Sequence, residues 1–175
     1  MARKIVMGRI HRLLKNYPMT IRKYKDSDLP EILKIYSLTK LEEVRFEAEE
    51  FDFIPLDFDE KRFKAFKECE VFVCEKSEIY GYCAFLGNEI KALFVLPQFQ
   101  GRGIGKNMLK FMLENIQGAA SLNVVASNVP AKNLYESFGF ITSSEFAAEF
   151  NGKPVLAIKM RQARKADQFN SAENP

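Results

Sequence analysis

Hydrophobic residues along the chain follow strand-like and helix-like spacings that predict a regular order of elements. Residues 20–24 read as a short strand. Residues 29–38 then carry apolar side chains at helical spacing, directly after a run at residues 26–28 of the types that cap helices. A second amphipathic pattern predicts a helix over residues 60–68.

Three successive apolar runs in the middle of the chain predict an antiparallel meander. Residues 71–76 and 79–86 read as two strands joined by a tight turn, and a second turn leads into a central strand that begins at Glu89. Pro97 should end the central strand, because proline has no N–H to donate to a sheet.

A helix and a buried strand follow the central strand. The helix places its apolar residues on one face and should end at Gly118. The residues on that face are Ile104, Met108, Met112, Leu113 and Ile116. Residues 122–126 read as a buried strand, and we expect it to run parallel to the central strand because a helix joins the two.

The last part of the pattern is one more helix and two closing strands. Asn128 is a residue type that begins helices, and Gly139 is one that ends them. Residues 141–150 and 154–160 read as two strands joined by an Asn-Gly turn, which is a strong hairpin signal.

The loop between the central strand and its helix carries the candidate chemistry. Gly101, Gly103 and Gly105 alternate there with larger residues, and Arg102 and Lys106 add positive charge. Such a loop leaves backbone N–H groups free at the positive end of a helix, and its missing side chains let an anion approach. The loop therefore predicts a phosphate cradle, although it matches neither the dinucleotide-binding nor the nucleoside-triphosphate spacing.

Two stretches match a pair of signatures that occur together. The run Gln100-Gly-Arg-Gly-Ile-Gly105 has the pattern Gln/Arg-x-x-Gly-x-Gly/Ala. A second pattern, Asn-x-x-Ala-x-x-Leu/Phe-Tyr-x-x-x-Gly-Phe, is matched at its spacing by Asn128, Ala131, Leu134, Tyr135, Gly139 and Phe140. With both signatures in order, residues 19–160 resemble the GCN5-related N-acetyltransferases (GNAT family).

The resemblance implies an α+β fold of the GNAT type. Its central sheet would be mostly antiparallel, with six to seven strands and helices on both faces. The fourth and fifth strands would form a parallel pair that splays apart.

The resemblance also implies that acetyl-coenzyme A is the co-substrate, with its pyrophosphate on the glycine loop and no metal involved. The pantetheine arm would pair with the edge of the central strand at Leu93, Phe94 and Val95, where an amide near Phe94 would face the oxyanion. The implied cofactor-binding residues are Leu93, Phe94, Val95, Gln100, Gly101, Arg102, Gly103, Ile104, Gly105, Lys106, Asn128 and Tyr135.

Two catalytic roles follow from the resemblance. Tyr135 would be the general acid that protonates the leaving thiolate, and Glu89 would be the general base that takes a proton from the amine. Glu75 and the acidic residues of the 42–60 stretch are rival candidates for the base. That stretch interleaves acids with phenylalanines and would form the acceptor side of the cleft, either as a wall that attracts cations or as an ordinary solvated face.

The function expected is acetyl transfer from the thioester to a primary amine by direct attack in a ternary complex. The acceptor would be a cationic small amine or a lysine. An acetyltransferase of protein N-termini or aminoacylated RNA, and a non-catalytic acyl-coenzyme A sensor, remain alternatives. Oligomeric state is open, and a homodimer through the closing strands is one option.

The chain has 175 residues, and the resemblance leaves a short segment at each end outside residues 19–160. Residues 1–18 are a basic extension, expected to be poorly ordered or helical, and residues 161–175 are a polar tail. A net charge of +3 makes a nucleic-acid partner unlikely, and no apolar run is long enough to span a membrane. Three cysteines without a metal-ligand pattern indicate reduced thiols in a cytoplasmic protein.

Overall fold

The computed structural model describes residues 19–163 and shows one seven-stranded sheet with helices on both faces. The strands are β1 Thr20–Lys23, β2 Glu70–Glu75, β3 Ile79–Leu86, β4 Glu89–Val95, β5 Ser121–Val125, β6 Phe140–Phe150 and β7 Lys153–Gln162. The helices are α1 Leu29–Thr39, α2 Glu60–Glu68, α3 Ile104–Asn115 and α4 Val129–Glu136. The predictions for residues 1–18, and most of those for the tail, lie outside the described residues.

The sheet order is β1-β2-β3-β4-β5-β7-β6, and every neighbouring pair is antiparallel except β4 and β5. The parallel pair holds together only where Glu89 meets Ser121 and Ile90 meets Leu122. Beyond Ile90 the two strands separate while each keeps its other neighbour. The predicted fold class, with a splayed parallel pair, is confirmed.

Each face of the sheet carries its own hydrophobic layer. On one face, α3 and α4 pack over the middle of the sheet, with Met108, Leu109 and Met112 fully buried. On the other face, α1 packs its buried residues Ile32 and Ile35 over β2, β3 and β4. Burial of these side chains is the main term that holds the helices to the sheet.

A single extra residue in β4 changes which of its positions face each layer. The register pairs Ala84 with Ala92 but Phe85 with Ile90, so Lys91 has no partner on β3 and forms a β-bulge. Side chains alternate along a regular strand, yet Ile90 belongs to the α3 layer while Phe94, four positions on, belongs to the α1 layer. The bulge lies directly after the last paired position of β4 and β5, where bending of the strand favours their separation.

Two helix ends differ from the sequence-based expectation. Helix α3 ends at Asn115 rather than at Gly118, because Ile116 takes an extended conformation and is buried in the core. Asp28 does not cap α1 with its side chain. Its carboxylate accepts a hydrogen bond from the Lys25 N–H at 2.8 Å and pairs with Arg22 at 2.7 Å, and this lowers the pKa of Asp28.

The cysteines agree with the interpretation as structural thiols. Cys69, Cys74 and Cys83 are all free. Burial raises the pKa of Cys74 to about 11 and that of Cys83 to about 12, so both stay protonated near neutral pH. Within residues 19–163, no helix is long and apolar enough to cross a membrane.

Candidate active site

The separation of β4 and β5 opens a cleft of about 320 Å³ in the centre of the molecule. One wall is β4 from Ile90 to Val95, and the other is β5 with the start of α4. The third side is formed by residues 39–45 after α1 and by residues 148–150 at the end of β6. The cleft therefore joins three parts of the chain that are far apart in sequence.

Backbone groups of β4 are exposed along the cleft. Leu96 donates its N–H to the Tyr80 carbonyl at 2.9 Å. The next pair, Gly81 and Val95, is therefore a non-hydrogen-bonded pair, in which the N–H and C=O groups of each residue point away from the partner strand. By the alternation of the ladder, Leu93 and Val95 turn their N–H groups to the open edge. Phe94 turns its own to β3, so the edge amide expected near Phe94 is that of Leu93 or Val95.

The glycine loop forms the end of the cleft where α3 begins. Gly103 is the N-cap of α3 with a φ of +79°, a conformation that favours glycine. A methyl group added at Gly103 would meet no atom within 4 Å, so the space in front of the helix is open. The amides of Ile104, Gly105 and Lys106 have no acceptor within the helix and point toward this space. The loop thus fits a diphosphate group.

The charged residues of the loop are free to meet an anion. Among residues 19–163, neither Arg102 nor Lys106 forms an ion pair. The Arg102 guanidinium lies over the ring of Phe99 at 5.4 Å, which keeps it beside the loop. Gln100 donates its side-chain N–H to the Val95 carbonyl at 2.9 Å and so fastens the loop to the end of β4.

Helix α4 brings Asn128 and Tyr135 to the wall opposite β4. Asn128 caps the helix, because its side-chain oxygen accepts a hydrogen bond from the Ala131 N–H at 3.3 Å. Burial, and secondly the charge of Glu43, raise the pKa of Tyr135 well above its usual value. Tyr135 therefore stays protonated near neutral pH and is able to donate a proton.

Glu89 does not reach the cleft. It stands at the closed end of the β4–β5 pair, where Oε2 lies 2.6 Å from Lys91 Nζ and Oε1 accepts a 3.2 Å hydrogen bond from Asn123. The structure thus brings together Leu93, Phe94, Val95, Gln100, Asn128 and Tyr135 as cleft-lining residues, with the glycine loop beside them. Among the predicted site residues, Glu89 lies neither in the cleft lining nor in the glycine loop.

The third side of the cleft contains residues of the 42–60 stretch, whose acids were rival candidates for the base, and residues of β6 that the sequence analysis did not single out. Glu42, Glu43 and Arg45 line it from the segment after α1, and Phe150 lines it from β6. The start of the 42–60 stretch therefore does form a wall of the cleft. Phe150 and its neighbours carry no local signal of this role, because they arrive from a strand about a hundred positions later in the sequence.

Several contacts hold the acidic stretch in place. Glu47 accepts a 2.6 Å hydrogen bond from the Ser127 hydroxyl, next to the start of α4. At the β6–β7 turn, Asn151 donates its side-chain N–H to the Asp52 carbonyl at 2.6 Å, and Phe51 packs edge-on against Phe150 at 5.4 Å. This wall is thus tied both to the segment before α4 and to the closing hairpin.

Within the described part of the chain, no three His, Cys, Asp or Glu side chains are grouped so that they could hold a metal ion. The cleft is lined by β4, by Tyr135, and by the charged side chains of Glu42, Glu43, Glu149, Arg45 and Lys91.

Comparison with known proteins gives consistent results. A family model described as an acetyltransferase (GNAT) domain matches residues 67–142. The peptidyl-lysine N-acetyltransferase YjaB of Salmonella typhimurium is 31% identical over 90 residues, which are 51% of this chain and 61% of that protein. The spermine/spermidine N(1)-acetyltransferase of Bacillus subtilis is 32% identical over 72 residues, which are 38% and 46%. The chain thus spans less than two thirds of either relative.

Solved structures share the fold over most of the chain. A GCN5-related N-acetyltransferase from Rhodopseudomonas palustris superposes with a TM-score of 0.66 at 14% identity, over 83% of this chain and 95% of that one. The protein yncA of Salmonella typhimurium, solved with its cofactor acetyl-CoA, gives a TM-score of 0.63 at 20% identity, over 82% of this chain and 92% of that one. At these identities the likeness concerns the fold.

Proposed function

We propose, on the premise that this chain belongs to the GCN5-related N-acetyltransferase family, that it transfers the acetyl group of acetyl-coenzyme A to a primary amine. The observation that carries the proposal is the open edge of β4, which runs from the glycine loop at the start of α3 and faces Tyr135 across the cleft. The acetyl-CoA complex of yncA supports the choice of co-substrate.

Two parts of the cleft would bind acetyl-coenzyme A. The free amides of Ile104 to Lys106, with Arg102 and Lys106 beside them, hold the diphosphate. The open edge of β4 accepts an extended, amide-rich arm in the manner of an added strand, with Leu93 and Val95 supplying N–H groups. Bound acetyl-coenzyme A supplies a thioester whose carbonyl the amine attacks.

Three groups then serve the transfer. An N–H at the β4 edge, from Leu93 or Val95, stabilises the negative charge that develops on the carbonyl oxygen. A carbon–nitrogen bond forms as the carbon–sulfur bond breaks; the amine gives up a proton and the sulfur gains one from Tyr135. Glu89 is the base that the resemblance implies, but Glu43, one of the rival acids of the 42–60 stretch, is favoured for that role because it lines the cleft and its charge acts on Tyr135, whereas Glu89 does not line the cleft.

The acceptor proposed is the end of a primary alkylamine, in a lysine side chain or a polyamine. The activities named for the lysine and spermine/spermidine acetyltransferases support this choice. So does the carboxylate-bearing wall at residues 42–43. A homodimer paired through the free edge of β6 stays a prediction.

Two measurements test the proposal. Calorimetry should show coenzyme A binding, and a thiol-release assay should show turnover with polyamines or lysine peptides in an amine panel that also includes protein N-termini and aminoacylated RNA. Coenzyme A binding with no release on any acceptor would favour the sensor alternative. Absence of coenzyme A binding would refute the proposed function altogether.

A further inference from the structure

The side-chain ammonium group of Lys40 lies beside the cleft, against residues that line it. Lys40 follows directly after α1, and its Nζ lies 2.5 Å from Glu43 Oε2. The same nitrogen lies over three aromatic rings: Phe150 at 5.1 Å, Tyr36 at 5.8 Å and Phe94 at 5.8 Å. We call the three rings and the Glu43 carboxylate the cation cage.

The cation cage has the chemistry of a site for an ammonium ion. The ring faces attract a cation within about 6 Å, and the attraction is stronger where water is excluded. Tyr36, Phe94 and Phe150 are all buried, and the side chain of Lys40 is only 14% exposed. The carboxylate adds an opposite charge in direct contact.

The cation cage opens onto the cleft. Glu43, Phe94 and Phe150 line the cleft, whereas Lys40 and Tyr36 do not. The ion pair with Lys40 uses Oε2 of Glu43. A ligand in the cleft would therefore meet the same carboxylate and two of the same rings.

The opposite wall faces the same space. The charge of Glu43 contributes, after burial, to the raised pKa of Tyr135 on α4. An ammonium group held at Glu43 would thus lie on the acceptor side of the cleft, facing the proposed proton donor.

We propose that the cation cage receives the alkylammonium group of the acceptor and that Lys40, its present occupant, is an internal competitor which the acceptor displaces. This inference rests on the proposed function, because the bound ammonium group is an acceptor only if the protein transfers an acetyl group. The binding itself does not require acetyl-coenzyme A. Beyond its β-carbon, a lysine side chain is an unbranched chain of carbons ending in an ammonium group. The occupant therefore indicates the ligand class: an unbranched primary alkylammonium, such as one end of a polyamine or a lysine side chain.

The test measures binding of n-butylammonium chloride by calorimetry without acetyl-coenzyme A. Lys40→Met keeps the length of the side chain and removes its charge. The variant therefore lacks the internal cation that competes for the Glu43 carboxylate, and it no longer repels an incoming ammonium group. We expect K40M to bind n-butylammonium about tenfold tighter than the unaltered protein or more. The double variant K40M/E43Q should lose that gain, because the carboxylate is gone.

Lys34→Met is the matched control. Lys34 lies on the same helix, is 52% exposed and pairs with Glu31 at 3.2 Å without an aromatic cage. K34M should bind n-butylammonium like the unaltered protein. A K40M protein that is folded by circular dichroism yet binds n-butylammonium no tighter than the unaltered protein would overturn the inference.

A second measurement uses the unaltered protein, in case K40M does not fold. The ε-methylene NMR signals of Lys40 should be shifted by the ring currents of the cage and should move toward those of an exposed lysine as n-butylammonium is added. Lys40 signals that stay unmoved up to the solubility limit of the salt would contradict displacement. Coenzyme A calorimetry on the same samples separates the two failures: bound coenzyme A without a K40M gain refutes only this inference, whereas no bound coenzyme A refutes the proposed function.

Discussion

Gly103 and Gly105 sit two positions apart in the glycine loop, yet the structure predicts opposite effects of the same added methyl group. Gly103 has a φ of +79°, where an L-residue other than glycine costs about 1–2 kcal/mol. No steric cost adds to this figure, because a methyl group there meets nothing within 4 Å. Gly103→Ala should therefore lower the free energy of unfolding by about 1–2 kcal/mol.

Gly105 lies inside the first turn of α3 with ordinary helical geometry. A methyl group there would stand 3.9 Å from the Leu134 and Val95 side chains, which is normal van der Waals contact. Alanine is the better helix former, so Gly105→Ala should raise the free energy of unfolding by about 0.5–1 kcal/mol. Urea unfolding followed by circular dichroism should then separate the two variants by about 1.5–3 kcal/mol.

Binding should separate them further. The methyl group at Gly103 enters the open space in front of α3, where the diphosphate is proposed to lie, so coenzyme A affinity should fall at least about tenfold, or 1.4 kcal/mol. The methyl group at Gly105 points into the protein, between α4 and β4, and should change the affinity little. If calorimetry gave G103A the affinity of the unaltered protein, or if G105A were the weaker binder, the phosphate-cradle reasoning would be wrong.

Three further outcomes are expected. Tyr135→Phe should lower turnover about a hundredfold while coenzyme A affinity is kept, because the ring stays and the proton donor goes; an equal loss of both would reject the acid role. Glu89→Gln should change turnover little and Glu43→Gln should lower it strongly in thiol-release assays, because only Glu43 lines the cleft; the reverse order would restore Glu89 as the base. Asp28→Asn should cost about 2 kcal/mol at neutral pH, through loss of the charged bonds to Arg22. Since the pKa of Asp28 is lowered on folding, its contribution is fully present above its unfolded pKa of about 3.9 and should be lost as the pH falls from there through the lower pKa of the folded protein, which urea unfolding at several pH values would show.

Local sequence signals located the elements well. The strand at Ile79–Leu86 and the helix at Glu60–Glu68 begin and end where the hydrophobic pattern placed them. The Asn151-Gly152 turn has positive φ at both residues, as a two-residue hairpin requires. These features depend on residues that are close together in the sequence, so they can be predicted from the sequence.

Features that depend on distant neighbours were missed or misplaced. The resemblance implied Glu89 as the base, but whether a strand residue faces the cleft depends on where β5 pairs, and Glu89 itself is paired with Ser121 of β5. The cation cage combines residues from α1, the segment after α1, β4 and β6, and no sequence spacing predicts such a group. The orientation of the Phe94 N–H likewise follows from the register with β3, which the sequence does not state.

The bulge at Lys91 has a consequence for how this protein tolerates changes of length. A deletion at that position would leave Ile90 three positions before Phe94, so unbroken alternation would keep the two side chains in their present, opposite layers. The core contacts of β4 would be kept, and only the bulge and the bend that it favours would be lost. The opening of the sheet is therefore coupled to the number of residues in this strand rather than to the identity of the side chain at position 91: loss of one residue should narrow the separation of β4 and β5, whereas substitutions there should leave it unchanged.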